Sequence, residues 1–125
     1  IRDLPGRMNH RMPPDGTLEE KFALRHAVTF QKDGIFHKVT GAQEVMTNTL
    51  HGQGIKEPGP RIVIDGYAPD GTPEAIYVKG AAGFALSVQW HAEYRASEDP
   101  VSRPLFSAFS KAARQWKTTK SALVA

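Results

Sequence analysis

The sequence predicts a strand-rich α/β chain: an α+β domain, or the second half of an α/β domain whose first strands lie upstream. Three observations carry this. Short apolar runs, broken by Gly, Pro and Asp, recur between His26 and Trp90. Asp70-Gly71 sits in a polar gap between two such runs, which is a hairpin signal. Beyond Ser97 the apolar spacing lengthens to three and four, through Val101, Leu105, Phe106, Phe109, Ala112, Ala113 and Trp116, which is one helix. An all-helical fold is excluded.

Taken in order, residues 1–17 carry Pro5, Gly6, Pro13, Pro14 and Gly16 with no period, and read as loop or linker ahead of a domain spanning 18–125. A strand is expected at His26–Phe30, closed by the Lys32-Asp33-Gly34 turn. Ile35–Gly41 fits a helical turn or a strand equally well. Glu44–Leu50 reads as a second strand emptying into His51-Gly52-Gln53-Gly54. Arg61–Ala68 and Glu74–Lys79 form the hairpin, with Ile62 and Ile64 facing residues of the returning strand. Phe84–Trp90 is expected as a buried strand, with Ser87 a packed hydroxyl within it. The final helix begins near Val101, capped by Ser97 or Asp99, with Pro100 tolerated in its first turn. Phe106, Phe109 and Trp116 on one stripe are expected to be core contacts.

A chain of 125 residues has room for one domain and one core. No stretch approaches the roughly 20 apolar residues of a membrane helix, and the first residues lack a signal peptide's layout. A cytoplasmic location is expected, with no membrane partner. The absence of cysteine excludes disulfides, thiolate metal sites and a cysteine nucleophile within this chain. The formal charge of +3 draws on Lys111, Arg114, Lys117 and Lys120, which read as a solvated helix face; no nucleic-acid partner is expected.

Chemistry is expected at His91 and Glu93. If the chain stays extended past Trp90, alternation puts both side chains on one side, and the carboxylate then fixes the imidazole's tautomer. The remaining histidines, His10, His26, His37 and His51, show no helical pairing. A metal site would need distant parts of the chain, and neither metal nor cofactor is expected. Asn48-Thr49-Leu50-His51-Gly52-Gln53 is the other candidate, a strand end able to grip a small polar ligand.

Gln89-Trp90-His91-Ala92-Glu93 resembles the Gln-(Trp/Phe)-His-Pro-Glu motif that closes class I glutamine amidotransferase domains. Asn48 to Gln53 resembles the Asn-Ser-x-His-x-Gln segment of the same group. The nearest branch is the gamma-glutamyl-gamma-aminobutyrate hydrolases. Pro5-Gly6-Arg7-x-x-His10-Arg11, His26-x-Val28, Leu50 to Ile55, the Ala68 to Thr72 turn and Gly83-Phe84-Ala85-Leu86 are also similar to that branch, in order and spacing.

The resemblance implies the C-terminal portion of a flavodoxin-like three-layer sandwich about twice this length. The activity it implies is hydrolysis of a small substrate's gamma-glutamyl amide by a cysteine, with His91 as base and Glu93 as its orienting acid. Thr49, His51, Gly52 and Gln53 would bind the substrate. The elbow Gly-x-Cys-x-Gly is absent, so the partner expected is the N-terminal half carrying the nucleophile, and this chain alone is expected to be inactive. The bare sheet edges of such a fragment imply aggregation or pairing as a homodimer. Ala92 stands where the motif has proline. Two other readings remain open: a glutaminase subunit feeding ammonia to a synthase, and a non-catalytic domain that binds a partner.

Overall fold

The structure, a computed structural model, describes residues 4–124; the first three residues of the expected loop and the last residue of the chain lie outside the described residues. The elements run α1 (Leu18–Lys21), β1 (His26–Phe30), α2 (Ile35–Thr40), β2 (Glu44–Thr47), β3 (Ile62–Tyr67), β4 (Pro73–Val78), β5 (Leu86–Val88) and α3 (Ser102–Val124). The strands form one sheet in the order β2-β1-β3-β4-β5, and every neighbouring pair is antiparallel. This is an α/β chain with a hairpin and a long C-terminal helix, consistent with part of a flavodoxin-like fold.

One end of the sheet collects the chain's polar segments, and the topology explains why. Alternating strand directions bring the starts of β1 and β4 to the same edge as the ends of β2, β3 and β5. His26 and Glu74, the loop after Thr47, the Asp70-Gly71 turn and the segment after Val88 therefore meet there. In that turn Gly71 accepts a φ of +80°, a conformation that disfavours any side chain.

The core is small: Val28, Phe30, Phe36, Val45, Ala75, Trp90, Ala92 and Leu105. β1 alternates cleanly, with His26, Val28 and Phe30 inward. Residues 35–40, ambiguous in the sequence, form a helix because Asp65 supplies the cap that Gly34 cannot: its carboxylate accepts the Phe36 N–H at 2.7 Å. A register shift between β3 and β4 at Ile64/Gly66 places the bulge around Asp65, which is how a strand residue comes to face a helix end. The helix stops at Gly41 in the left-handed conformation.

Three expectations are overturned. The run from Phe84 to Trp90 is not a buried strand: only Leu86–Val88 is strand, at the sheet's edge, where Leu86 and Val88 are half-buried. Ser87 points to solvent and is not a packed hydroxyl. Phe106, Phe109 and Trp116 are exposed, Trp116 at 68%, and are not core contacts. The physical reason is length. A 23-residue helix runs about 35 Å at 1.5 Å per residue, and only its first turns, through Ser102 and Leu105, are buried against the rest. Asp99 caps that helix, accepting the Val101 and Ser102 N–H groups at 3.3 and 2.9 Å. Among the described residues, no helix is long and apolar enough to cross a membrane.

Gly66 shows how tightly the core is set. A β-carbon there would lie 2.9 Å from Phe30 Cδ1, 3.0 Å from Ala75 Cβ and 3.1 Å from Val28 Cγ1. Gly66→Ala is expected to cost about 1–3 kcal/mol through overpacking, read as a lower urea midpoint with an unchanged slope.

Candidate active site

His91 and Glu93 meet, though not by the route the sequence suggested. The Gln89 N–H still donates to the Glu74 carbonyl at 2.8 Å, continuing the β4–β5 pairing by one bond, and the chain then bends into turns. Trp90 and Ala92 face the core while His91 and Glu93 face outward. The imidazole Nδ1 lies 2.6 Å from Glu93 Oε1. A carboxylate only accepts, so Nδ1 carries the hydrogen and Nε2 is the lone-pair nitrogen. That is the tautomer a general base needs. Ala92, in the proline position of the motif, fills the core with its methyl and does not prevent the pairing.

Asn48 fixes this pair to the sheet. Its Nδ2 donates to the His91 carbonyl at 3.0 Å, and its Oδ1 accepts the His91 N–H at 2.9 Å. One buried side-chain amide thus pairs with both polar groups of the histidine's own backbone, across 43 residues of sequence. This is the physical link between the two motif segments.

Beside the pair lies an open groove of about 370 Å³. Phe22 packs edge-on to His91 at 5.5 Å and stacks on Tyr94 at 4.4 Å, while Arg95 covers Tyr94 and pairs with Glu19 at 3.3 Å. None of these walls was singled out from the sequence; a lone Phe22 beside a four-residue helix gives no period to detect.

Of the other predicted residues, none of Thr49, His51, Gly52 and Gln53 lines the groove. Thr49 is buried and its hydroxyl donates to the His10 carbonyl at 2.9 Å. His51 is buried too: Nδ1 donates to the Gln53 carbonyl at 2.7 Å, and Nε2 lies 3.2 Å from Glu74 Oε1. Gly52 is half-buried close to Arg11, and Gln53 is exposed. The loop is therefore held from behind by His51 and Thr49, and it offers Gly52 and Gln53 outward.

A second polar centre, missed in the sequence, forms behind that loop. His10, His26, His51 and Glu74 converge in the interior, His10 and Glu74 from positions 64 residues apart. The available signal was Glu74, an acid on a strand otherwise apolar on its inner side. The Asp70 turn ties in the N-terminal segment: its carboxylate accepts the Met8 N–H at 2.7 Å and faces His10 Nε2 at 2.9 Å. Arg7 adds bonds to the Asp70 carbonyl and the Thr72 hydroxyl.

The electrostatics follow from these contacts. Burial alone would raise the Asp70 carboxyl, but the bonds from His10, Met8 and Thr72 hold it far below the usual carboxylate range. Burial would lower His51, but its bond to Glu74, its bond to the Gln53 carbonyl and the charge of Glu74 raise it on balance. Glu93 is pushed up by burial and pulled down further by the bond and charge of His91, so its carboxyl lies below its ordinary value.

Residues 1–93 match the peptidase C26 family. The gamma-glutamyl-gamma-aminobutyrate hydrolase PuuD of Escherichia coli K12 is 35% identical over 120 residues, covering 95% of this chain and 47% of that protein. The gamma-glutamyl-gamma-aminobutyrate hydrolase of Shigella flexneri is 37% identical over 106 residues, covering 84% and 41%. A putative glutamine amidotransferase-like protein of Rickettsia prowazekii is 28% identical over 108 residues, covering 86% and 36%. The chain spans about half the length of the first of these curated relatives.

Two outcomes are expected. Because the folded Glu93 carboxyl lies below its unfolded value, the His91–Glu93 pairing is full above the unfolded value and is lost as pH falls through the folded one. The Nδ1–H proton of His91, followed by NMR, is expected to persist to acidic pH and to vanish only in that range. Asn48→Ala is expected to speed hydrogen exchange at the His91 amide by about fivefold, the loss of one hydrogen bond near 1 kcal/mol.

Proposed function

The chain belongs to the peptidase C26 family, and from that premise we propose that it supplies the base and orienting acid of a cysteine-dependent gamma-glutamyl hydrolase. Its substrates are small molecules carrying a gamma-glutamyl amide. The observation that carries this reading is the 2.6 Å His91–Glu93 contact at the mouth of a groove, with Asn48 gripping the His91 peptide.

This chain has no cysteine, so the nucleophile comes from a partner segment, the half of the domain that bears it. His91 Nε2 takes the thiol proton, and the sulfur attacks the gamma-carbonyl carbon. The tetrahedral oxyanion rests on backbone N–H groups of that partner segment. As it collapses, the C–N bond breaks and the departing amine takes the proton from His91. Water then attacks the thioester, His91 receives its proton, and glutamate leaves with the thiol restored. Glu93 holds the imidazole in register and stabilises its charged form at each transfer. Gly52 and Gln53 contact the glutamyl end, and Thr49 and His51 set that loop's backbone.

A second reading, a glutaminase delivering ammonia to a synthase, draws on the Rickettsia prowazekii relative. Hydrolysis of gamma-glutamyl-gamma-aminobutyrate without any acceptor enzyme separates the two.

The test is that hydrolysis, measured on this chain combined with its nucleophile-bearing half. His91→Ala is expected to lower turnover by several orders of magnitude, and Glu93→Gln by less. The chain alone is expected to show no turnover. An unchanged rate in His91→Ala overturns the assignment.

A further inference from the structure

We propose that His10, His51 and Glu74, with His26 as fourth ligand, bind one divalent transition-metal ion, zinc by preference, as a closed structural site. The interior geometry behind the Thr49–Gln53 loop is that of a ligand shell. Glu74 Oε1 lies 3.3 Å from His10 Nδ1, 3.2 Å from His51 Nε2 and 3.8 Å from His26 Nε2. Tetrahedral ligands about 2.0–2.1 Å from zinc stand about 3.3 Å apart, so the His10 and His51 separations are those of donors that share an ion, while His26, at 3.8 Å, has to move inward to become the fourth ligand. The donor atoms of His10, His51 and Glu74 all lie within 4.8 Å of one another.

The tautomers strengthen the argument. His51 Nδ1 donates to the Gln53 carbonyl and His26 Nδ1 to the Ala27 carbonyl, at 2.7 and 3.0 Å. His10 Nε2 donates to the Asp70 carboxylate at 2.9 Å. In the neutral tautomers these bonds select, each imidazole spends its ring hydrogen on an outward acceptor and turns its other nitrogen inward toward Glu74, the Thr49 hydroxyl also lying 3.2 Å from His10 Nδ1. Outward ring N–H groups held by carbonyl and carboxylate oxygens are the support that metal-bound histidines have. Lone pairs facing a carboxylate repel unless a cation lies between them. A proton on His51 would settle one contact only. Among the described residues, His26 Nε2 and Glu74 Oε2 are buried with no hydrogen-bond partner. Full burial of His10 and near-full burial of Glu74 leave no open coordination position, which makes the site structural and not catalytic. Imidazole with one carboxylate suits zinc among the first-row metals.

Such an ion would clasp four separate pieces of chain: the N-terminal segment, the starts of β1 and β4, and the loop after β2. Tag-free full chain, purified without chelators and incubated with zinc, is expected to retain about one ion per chain. Cobalt(II) in its place is expected to give the strong visible absorption of tetrahedral coordination. Dipicolinate is expected to lower the melting midpoint by several degrees, and added zinc to restore it. Glu74→Gln and His26→Gln are expected to reduce retained zinc at least tenfold, while His91→Ala retains it. Since the cluster variants are at risk of not folding, the stoichiometry and cobalt spectrum of the unaltered chain decide by themselves. Retention below about a tenth of an ion per chain, with a melting point indifferent to zinc and chelator, overturns the proposal and leaves a proton-bridged cluster. Full retention in folded Glu74→Gln and His26→Gln also overturns it, by placing the metal elsewhere.

Discussion

Antiparallel pairing throughout a five-stranded sheet is the constraint from which the rest follows. It sends alternate strand ends to the same edge, so residues far apart in sequence become neighbours, while residues 48–61 cross over from the end of β2 to the start of β3 on the far side of β1. His91 sits where β5 runs out, Asn48 where β2 runs out, and Glu74 where β4 begins. The bidentate contact between the Asn48 amide and the His91 peptide then converts that general placement into a defined one. A buried amide with both of its groups satisfied has few alternative arrangements, which is how an exposed imidazole on an edge segment acquires a fixed origin.

Two polar centres share this edge and differ in their relation to water. The His91–Glu93 pair stands at the surface beside an open groove, with one imidazole nitrogen held and the other presented. The His10–His26–His51–Glu74 centre is sealed inside and presents nothing. The Asn48 to Gln53 segment connects them. Its first side chain steadies the outer pair, while Thr49 and His51 reach back to the inner centre. A family motif that reads as one string is thus divided, residue by residue, between a surface task and an interior one.

Much of this was legible in the sequence, and the exceptions have physical causes. β1, the hairpin and the start of α3 were readable because period, turn chemistry and capping all agreed there. The His91–Glu93 pairing was readable from its motif, although the extended geometry assumed for it was not what formed. A run such as Phe84 to Trp90 looks buried in sequence, but burial depends on what lies outside an edge strand, and no local pattern encodes that. The stripe of Phe106, Phe109 and Trp116 misled for the same reason: helical period reports a common face, not whether anything covers it. The inner cluster was illegible because its members come from four segments with no spacing rule among them. The register of β1 against β2, pairing His26 with Thr47, brings two of these segments together, and the Asp70 turn and β4 bring in His10 and Glu74.

The alternation at residues 90 to 93 divides the motif into two registers. Trp90 and Ala92 are anchors set in hydrocarbon, and His91 and Glu93 are the outward polar pair those anchors carry. The inner pair therefore acts as a gauge of side-chain volume: a larger or smaller anchor would raise or sink the outer pair relative to any reactant. The small methyl of Ala92 and the indole of Trp90 thus set the height at which the His91–Glu93 pair stands above the core.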